Sequence, residues 1–162
     1  MIRLITVASV MVLASAVLPP VLSPAWAQST QSCAPANEQQ VAALFDRWNA
    51  SLKTLNADEV VKNYAPDAIL LATVSNRPRL TQADRKDYFV HFLEAKPVGS
   101  INMRVIKLGC NDALDAGVYT FTLGDGRTVE ARFSFTYVFR DGQWLISSHH
   151  SSAMPEPIAP VK

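Results

Sequence analysis

The chain has 162 residues, with 15 basic and 14 acidic side chains and a formal net charge of +1. So even a balance leaves no electrostatic footprint for nucleic acid or an anionic membrane surface. Two cysteines and three histidines restrict the sets of soft metal ligands that could form.

The N-terminus reads as an export signal. Arg3 precedes a nearly unbroken apolar run from Leu4 to Leu22, and Ala25-Trp26-Ala27 fits a small-x-small cleavage site. Cleavage would remove residues 1–27. Arg3 is the one charge lost, which leaves 14 basic and 14 acidic residues and a single domain able to build its own core. No later segment is long and apolar enough to span a bilayer, so no membrane anchor is expected after cleavage. Residues 28–36 read as a flexible arm. Cys33 and Cys110 both lie in the exported part, where an oxidising compartment permits a disulfide. Periplasmic or secreted localisation follows from these readings.

Asn37-Glu38-Gln39-Gln40 has the form of a capping box. Val41, Leu44, Phe45, Trp48 and Leu52 follow at helical spacing. Asn56-Ala57-Asp58-Glu59 reads as a second capping box and opens a short helix through Val60, Val61 and Tyr64, which Pro66 ends. Ala68 to Thr73 reads as a strand, and Asn76 and Pro78 mark a loop. Thr81, with Asp84 three residues on, caps a third helix whose apolar face carries Tyr88, Phe89, Phe92 and Leu93.

After Gly99 the pattern becomes β-branched and aromatic. Strands are predicted over 100–108, 114–123, 128–140 and 143–152, separated by Asn111-Asp112, Asp125-Gly126 and Asp141-Gly142. Helices followed by consecutive strands give an α+β fold, with a curved antiparallel sheet wrapped over three N-terminal helices. A sheet bent in this way leaves a pocket at its open end. From Met154 the chain is a Pro-rich tail.

The element order resembles the cone-shaped nuclear transport factor 2-like fold, shared by SnoaL-like proteins. Leu44-Phe45-Asp46-Arg47-Trp48, Tyr64-Ala65-Pro66-Asp67 and Arg140-Asp141-Gly142-Gln143-Trp144, running on to Ser151-Ser152, resemble the calcium/calmodulin-dependent kinase II association domain and its stand-alone bacterial relatives. The likeness covers residues 37–153. It implies a homodimer or a higher homo-oligomer, assembled through the outer sheet face, and a pocket for small molecules, acids included.

Candidate site residues follow. His149 and His150 are strand neighbours and point to opposite faces. His150 shares its side with Trp144, Ile146 and Ser148 and matches a pocket histidine of the resembled family. His149 is expected toward the dimer contact. Arg132 on the preceding strand would bind a carboxylate if it pointed inward; the other reading is a surface pair with Glu130. Tyr64 and Tyr88 are candidate pocket residues, whereas Trp48 and Tyr119 are expected in the core. No metal site and no cofactor is expected. The expected function is binding of a small molecule, anions included, by an exported homo-oligomer. Two alternatives stand: a cofactor-independent isomerase, dehydratase or hydrolase using His150 as acid or base, and a structural partner of an envelope protein.

Overall fold

Three capped helices and five strands follow one another in a computed structural model that describes residues 32–34 and 36–156. The expected signal peptide, most of the arm and the end of the tail lie outside the described residues. The elements are α1 (Glu38–Leu52), α2 (Ala57–Val61), β1 (Tyr64–Leu71), α3 (Gln82–Glu94), β2 (Val98–Leu108), β3 (Asp112–Thr122), β4 (Thr128–Arg140) and β5 (Gln143–Ala153).

The helix starts match the local chemistry. Asn37 accepts from Gln40 N while the Gln40 side chain accepts from Asn37 N, the reciprocal pair predicted for α1. Thr81 and Asp84 make the same box for α3. Each such cap is worth about 1 kcal/mol. Asn56 caps α2 through Asp58 N, but Glu59 turns to Lys62 instead of closing a box, and the helix stops after five residues. Val41, Phe45, Trp48 and Leu52 form the buried stripe of α1, and Leu44 is half-buried at its edge.

The sheet order is β1-β5-β4-β3-β2, with β2 to β5 an antiparallel meander. Asp141 and Gly142 both take positive φ, 51° and 79°, in the two-residue turn that pairs Arg140 with Gln143. This is the hairpin geometry that Asp-Gly favours.

β1 differs from expectation. It begins at Tyr64, includes Pro66 and lies parallel to β5 at the sheet edge. An edge strand tolerates a proline, and the register slips between Tyr64 and Ile69. The carbonyls left irregular there are met by Arg85 from α3. Its guanidinium is fully buried and donates to the carbonyls of Ala65, Pro66, Ala68 and Leu80. Arg85 has the helical phase of Phe89 and Leu93, which are buried with it.

Two further register shifts bend the sheet. One lies between Ile101 and Met103 in β2, beside Gly117, where an added Cβ would sit 1.9 Å from the Met103 carbonyl oxygen. The other lies in β5 between Ile146 and Ser148: Tyr137 pairs with Ile146 and Thr136 with Ser148, so Ser147 is an extra residue. Such bulges add twist and bend a strand. The helices pack on the concave face, where Phe45 and Trp48 meet the rings of Tyr119, Phe121, Phe133 and Phe135.

Cys33 and Cys110 are joined in a disulfide. Ala34 N donates to Asn111 Oδ1 beside it, which fixes the segment before α1 to the β2–β3 turn. Closing a loop of 77 residues stabilises the fold by roughly 4–5 kcal/mol in the chain-entropy account.

Candidate functional site

A cavity of about 440 Å³ opens between α3, the β1–α3 loop and the inner faces of β3, β4 and β5. Aromatic rings dominate its wall: Trp48, Tyr88, Phe89, Phe92, Tyr119 and Phe121. Few polar groups interrupt them, as in a typical small-molecule site.

The deepest of these groups is His149, which is 4% exposed. Its imidazole stacks on Phe135, with ring centroids 4.0 Å apart. Trp48 Nε1–H donates to Tyr64 Oη (3.0 Å), and Tyr64 Oη lies 2.9 Å from His149 Nδ1. Indole nitrogen can only donate, so the phenol oxygen accepts from Trp48; among the described residues Nδ1 is the one acceptor within reach of the phenol's own proton, and the bond that leaves fewest buried groups unpaired is Tyr64 Oη–H to Nδ1. The imidazole proton is therefore on Nε2, a buried donor without a partner. Burial, helped by neighbouring His150, pushes the His149 pKa down to about 3, so the ring is neutral at ordinary pH. Burial also raises the Tyr64 phenol well above its ordinary value.

A second chain of groups is made of hydroxyls. Tyr119 Oη donates to Ser151 Oγ (2.6 Å), which in turn bonds Thr73 Oγ1. Two bonds link the three hydroxyls, which leaves one hydroxyl proton over, on Ser151 or Thr73. Burial pushes the Tyr88 phenol up to about 12, against a smaller opposing pull from Arg79. Arg79 lines the cavity beside Tyr88, its guanidinium 5.9 Å from the ring centre, and pairs outward with Asp87. Its Nε is buried without a partner.

These positions correct several expectations. His150 is exposed, and Ser148 lies on the same outer face of β5. The extra residue at Ser147 is the cause. Ile146 points inward, but beyond the bulge the inward parity moves to His149 and Ser151. His149 is therefore in the cavity wall rather than toward an oligomer contact. Ser147 holds the bulge through Thr136, with its Oγ 3.0 Å from the threonine hydroxyl.

Arg132 also points outward. It alternates with buried Ala131 and Phe133, is exposed, and donates to Ser152 Oγ (3.2 Å). The alternative surface pair does not form either, because Glu130 accepts from Asn102. Tyr64 is buried behind the wall and acts on it through His149. Of the five candidates, Tyr88 lines the cavity directly. Trp48 and Tyr119 are in the core as expected, yet each also lines the cavity and orders a polar neighbour.

The model of the calcium/calmodulin-dependent protein kinase II association domain family matches residues 37–155. A solved structure assigned to that domain type, from Xanthomonas campestris, is 51% identical to the chain. It has a TM-score of 0.72 and covers 76% of this chain and 91% of its own. A nuclear transport factor 2-like protein from Pseudomonas putida KT2440, 16% identical, has a TM-score of 0.68 over 80% of this chain and 99% of its own. Another structure assigned as an association domain, from Thiobacillus denitrificans, is 14% identical, with a TM-score of 0.60 over 70% and 94%. The last two share the fold. No match is found among curated proteins.

Proposed function

The chain belongs to the calcium/calmodulin-dependent protein kinase II association domain family, and from that premise we propose that it is an exported, homo-oligomerising domain that holds a small molecule in the aromatic cavity. The observation that carries this reading is the cavity itself, walled by rings yet containing His149 with an unpartnered Nε2. A buried polar group without a partner is costly, and a binding site is where such a cost is offset.

Support for assembly comes from the family and from the outer sheet face. Met103, Val105, Val118, Ser134, Thr136 and Ser148 form an uncharged stretch there, with Arg132 opposite Val118 and Glu130 beside it. Sheets covered on both faces have this composition. Export is supported by the Cys33–Cys110 bridge, which an oxidising compartment sustains, and by the cleavage pattern ending at Ala27. Among the described residues no helix is long and apolar enough to cross a membrane.

A thermal-shift screen of the protein lacking residues 1–27, against small apolar and acidic molecules, tests the binding reading. A ligand selective for the folded state raises the melting temperature by mass action. The reading fails if no molecule of cavity size produces a shift. Sedimentation of the same sample tests assembly, and a monomer at every concentration overturns that part.

A further inference from the structure

Resting on the binding reading above, we infer that the cavity takes an uncharged, ring-bearing molecule whose carbonyl oxygen accepts from His149 Nε2–H. Three observations lead there.

The first concerns hydrogen-bond sense. Among the described residues of the wall, the buried polar atoms without partners are His149 Nε2 and Arg79 Nε, and both are donors. The hydroxyls of Tyr119, Ser151 and Thr73 are already engaged with one another. A bound molecule therefore completes the site by bringing an acceptor. A second donor would meet a proton at Nε2.

The second concerns charge. Among the described residues Asp and Glu do not contribute to the wall, so a cation gains no counter-charge inside. Each arginine near the cavity already has a partner, though Arg79 Nε stays unpaired. Arg79 pairs with Asp87, and Arg85 donates to four carbonyls. His149 remains neutral. A carboxylate at the depth of His149 would lose its hydration with no opposite charge to replace it, a loss larger than one hydrogen bond returns. An uncharged carbonyl meets the same donor without that penalty.

The third concerns shape. Six aromatic side chains surround a space of about 440 Å³. Flat rings pack offset or edge-on against such walls, and the volume lies in the range of ordinary small-molecule sites.

The test uses three probes with one ring system: 2-acetonaphthone, 2-ethylnaphthalene and 2-naphthoate. Each is titrated into the folded protein, with tryptophan fluorescence and calorimetry as readouts. The ketone is expected to bind about fivefold to tenfold more tightly than the hydrocarbon, the worth of one buried hydrogen bond. The carboxylate is expected to be the weakest of the three. His149→Phe should abolish the ketone's advantage and leave hydrocarbon binding in place. Nitrogen NMR of the unsubstituted protein gives the same answer without a variant: the ketone, not the hydrocarbon, should move the His149 Nε2–H resonance. Equal binding of ketone and hydrocarbon, or tightest binding of the carboxylate, overturns the inference while leaving a ligand-binding cavity. Failure of all three to bind overturns the inference together with the binding reading.

Discussion

Two sets of polar side chains are buried under the same sheet, and they are kept there by different means. Trp48, Tyr64 and His149 are joined donor to acceptor, and every member is neutral. Arg104 and Asp115 are instead a charged pair, 3.1 Å apart, with fully buried Asp115 facing Arg104 over the ring of Phe45. Neither carboxylate oxygen has a hydrogen-bond partner, and neither has the neighbouring Tyr137 hydroxyl. Burial pushes Asp115 up to about 6, against the pull of Arg104 and with a smaller push from Asp46. The comparison teaches that a neutral relay orders its members by hydrogen bonds and leaves one end free, whereas the ion pair is held by charge, with hydrogen-bonding capacity on both partners unfilled.

The largest expected effect tests the second cluster. Arg104→Met leaves a buried carboxylate uncompensated and should cost about 3–5 kcal/mol in urea unfolding at neutral pH. Arg104→Met combined with Asp115→Leu should recover most of that loss, because nothing charged is then left behind. A single-variant loss under about 1 kcal/mol would show that Arg104 does not neutralise Asp115. The first cluster is expected to be cheaper to break. Tyr64→Phe strands the Trp48 donor and the His149 acceptor and should cost about 1–3 kcal/mol by the same measurement. A change within error would mean that the chain of bonds does not hold His149.

The pH response separates the clusters by sign. For Asp115 the folded value is about 6 and the ordinary value 3.8, so the folded chain alone keeps the proton between those limits. Its contribution to stability is complete below the window and is lost as pH rises through it. For His149 the folded value is about 3 and the ordinary value 6.5, so the unfolded chain alone is protonated in between. Its contribution is complete above that window and is lost as pH falls through it. The two oppose each other from about pH 4 to 6. Measured against the unsubstituted protein, Asp115→Asn should gain relative stability as pH rises across that range, and His149→Phe as pH falls. Parallel curves would remove the assigned protonation states. The smallest effects belong to the outer face. His150→Ala and Arg132→Ala should each change folding stability by less than about 0.5 kcal/mol and leave any ligand-induced thermal shift intact. Loss of that shift in His150→Ala would return His150 to the site.

Much of the architecture was legible because its signals are local. Asn37 and Thr81 start helices through side-chain bonds spanning three residues, and Asp141-Gly142 turns a hairpin through its own dihedral angles. The Cys33–Cys110 pairing followed from an expected export and an even count. The site was less legible. Tyr88 could be placed from the helical period of α3, but His149 could not be separated from His150. Strand parity is reset by one inserted residue, and Ser147 and Ser148 are equally small and polar, so neither marks the bulge. Arg85 carried a weaker signal: it shares the phase of Phe89 and Leu93, but a buried arginine is expected only once the irregular carbonyls of β1 are known to face it.

The amino-acid order by itself determined the helix caps, the strand-rich second half, the α+β class and the bridged cysteines, because each depends on neighbours in the chain or on composition. The tertiary structure alone decided that β1 joins β5 in parallel, that Arg85 is enclosed, and that His149 rather than His150 meets the cavity. Those outcomes depend on which distant backbone groups come together. The bulge that selects between the two histidines exists only once β5 has been paired with β4.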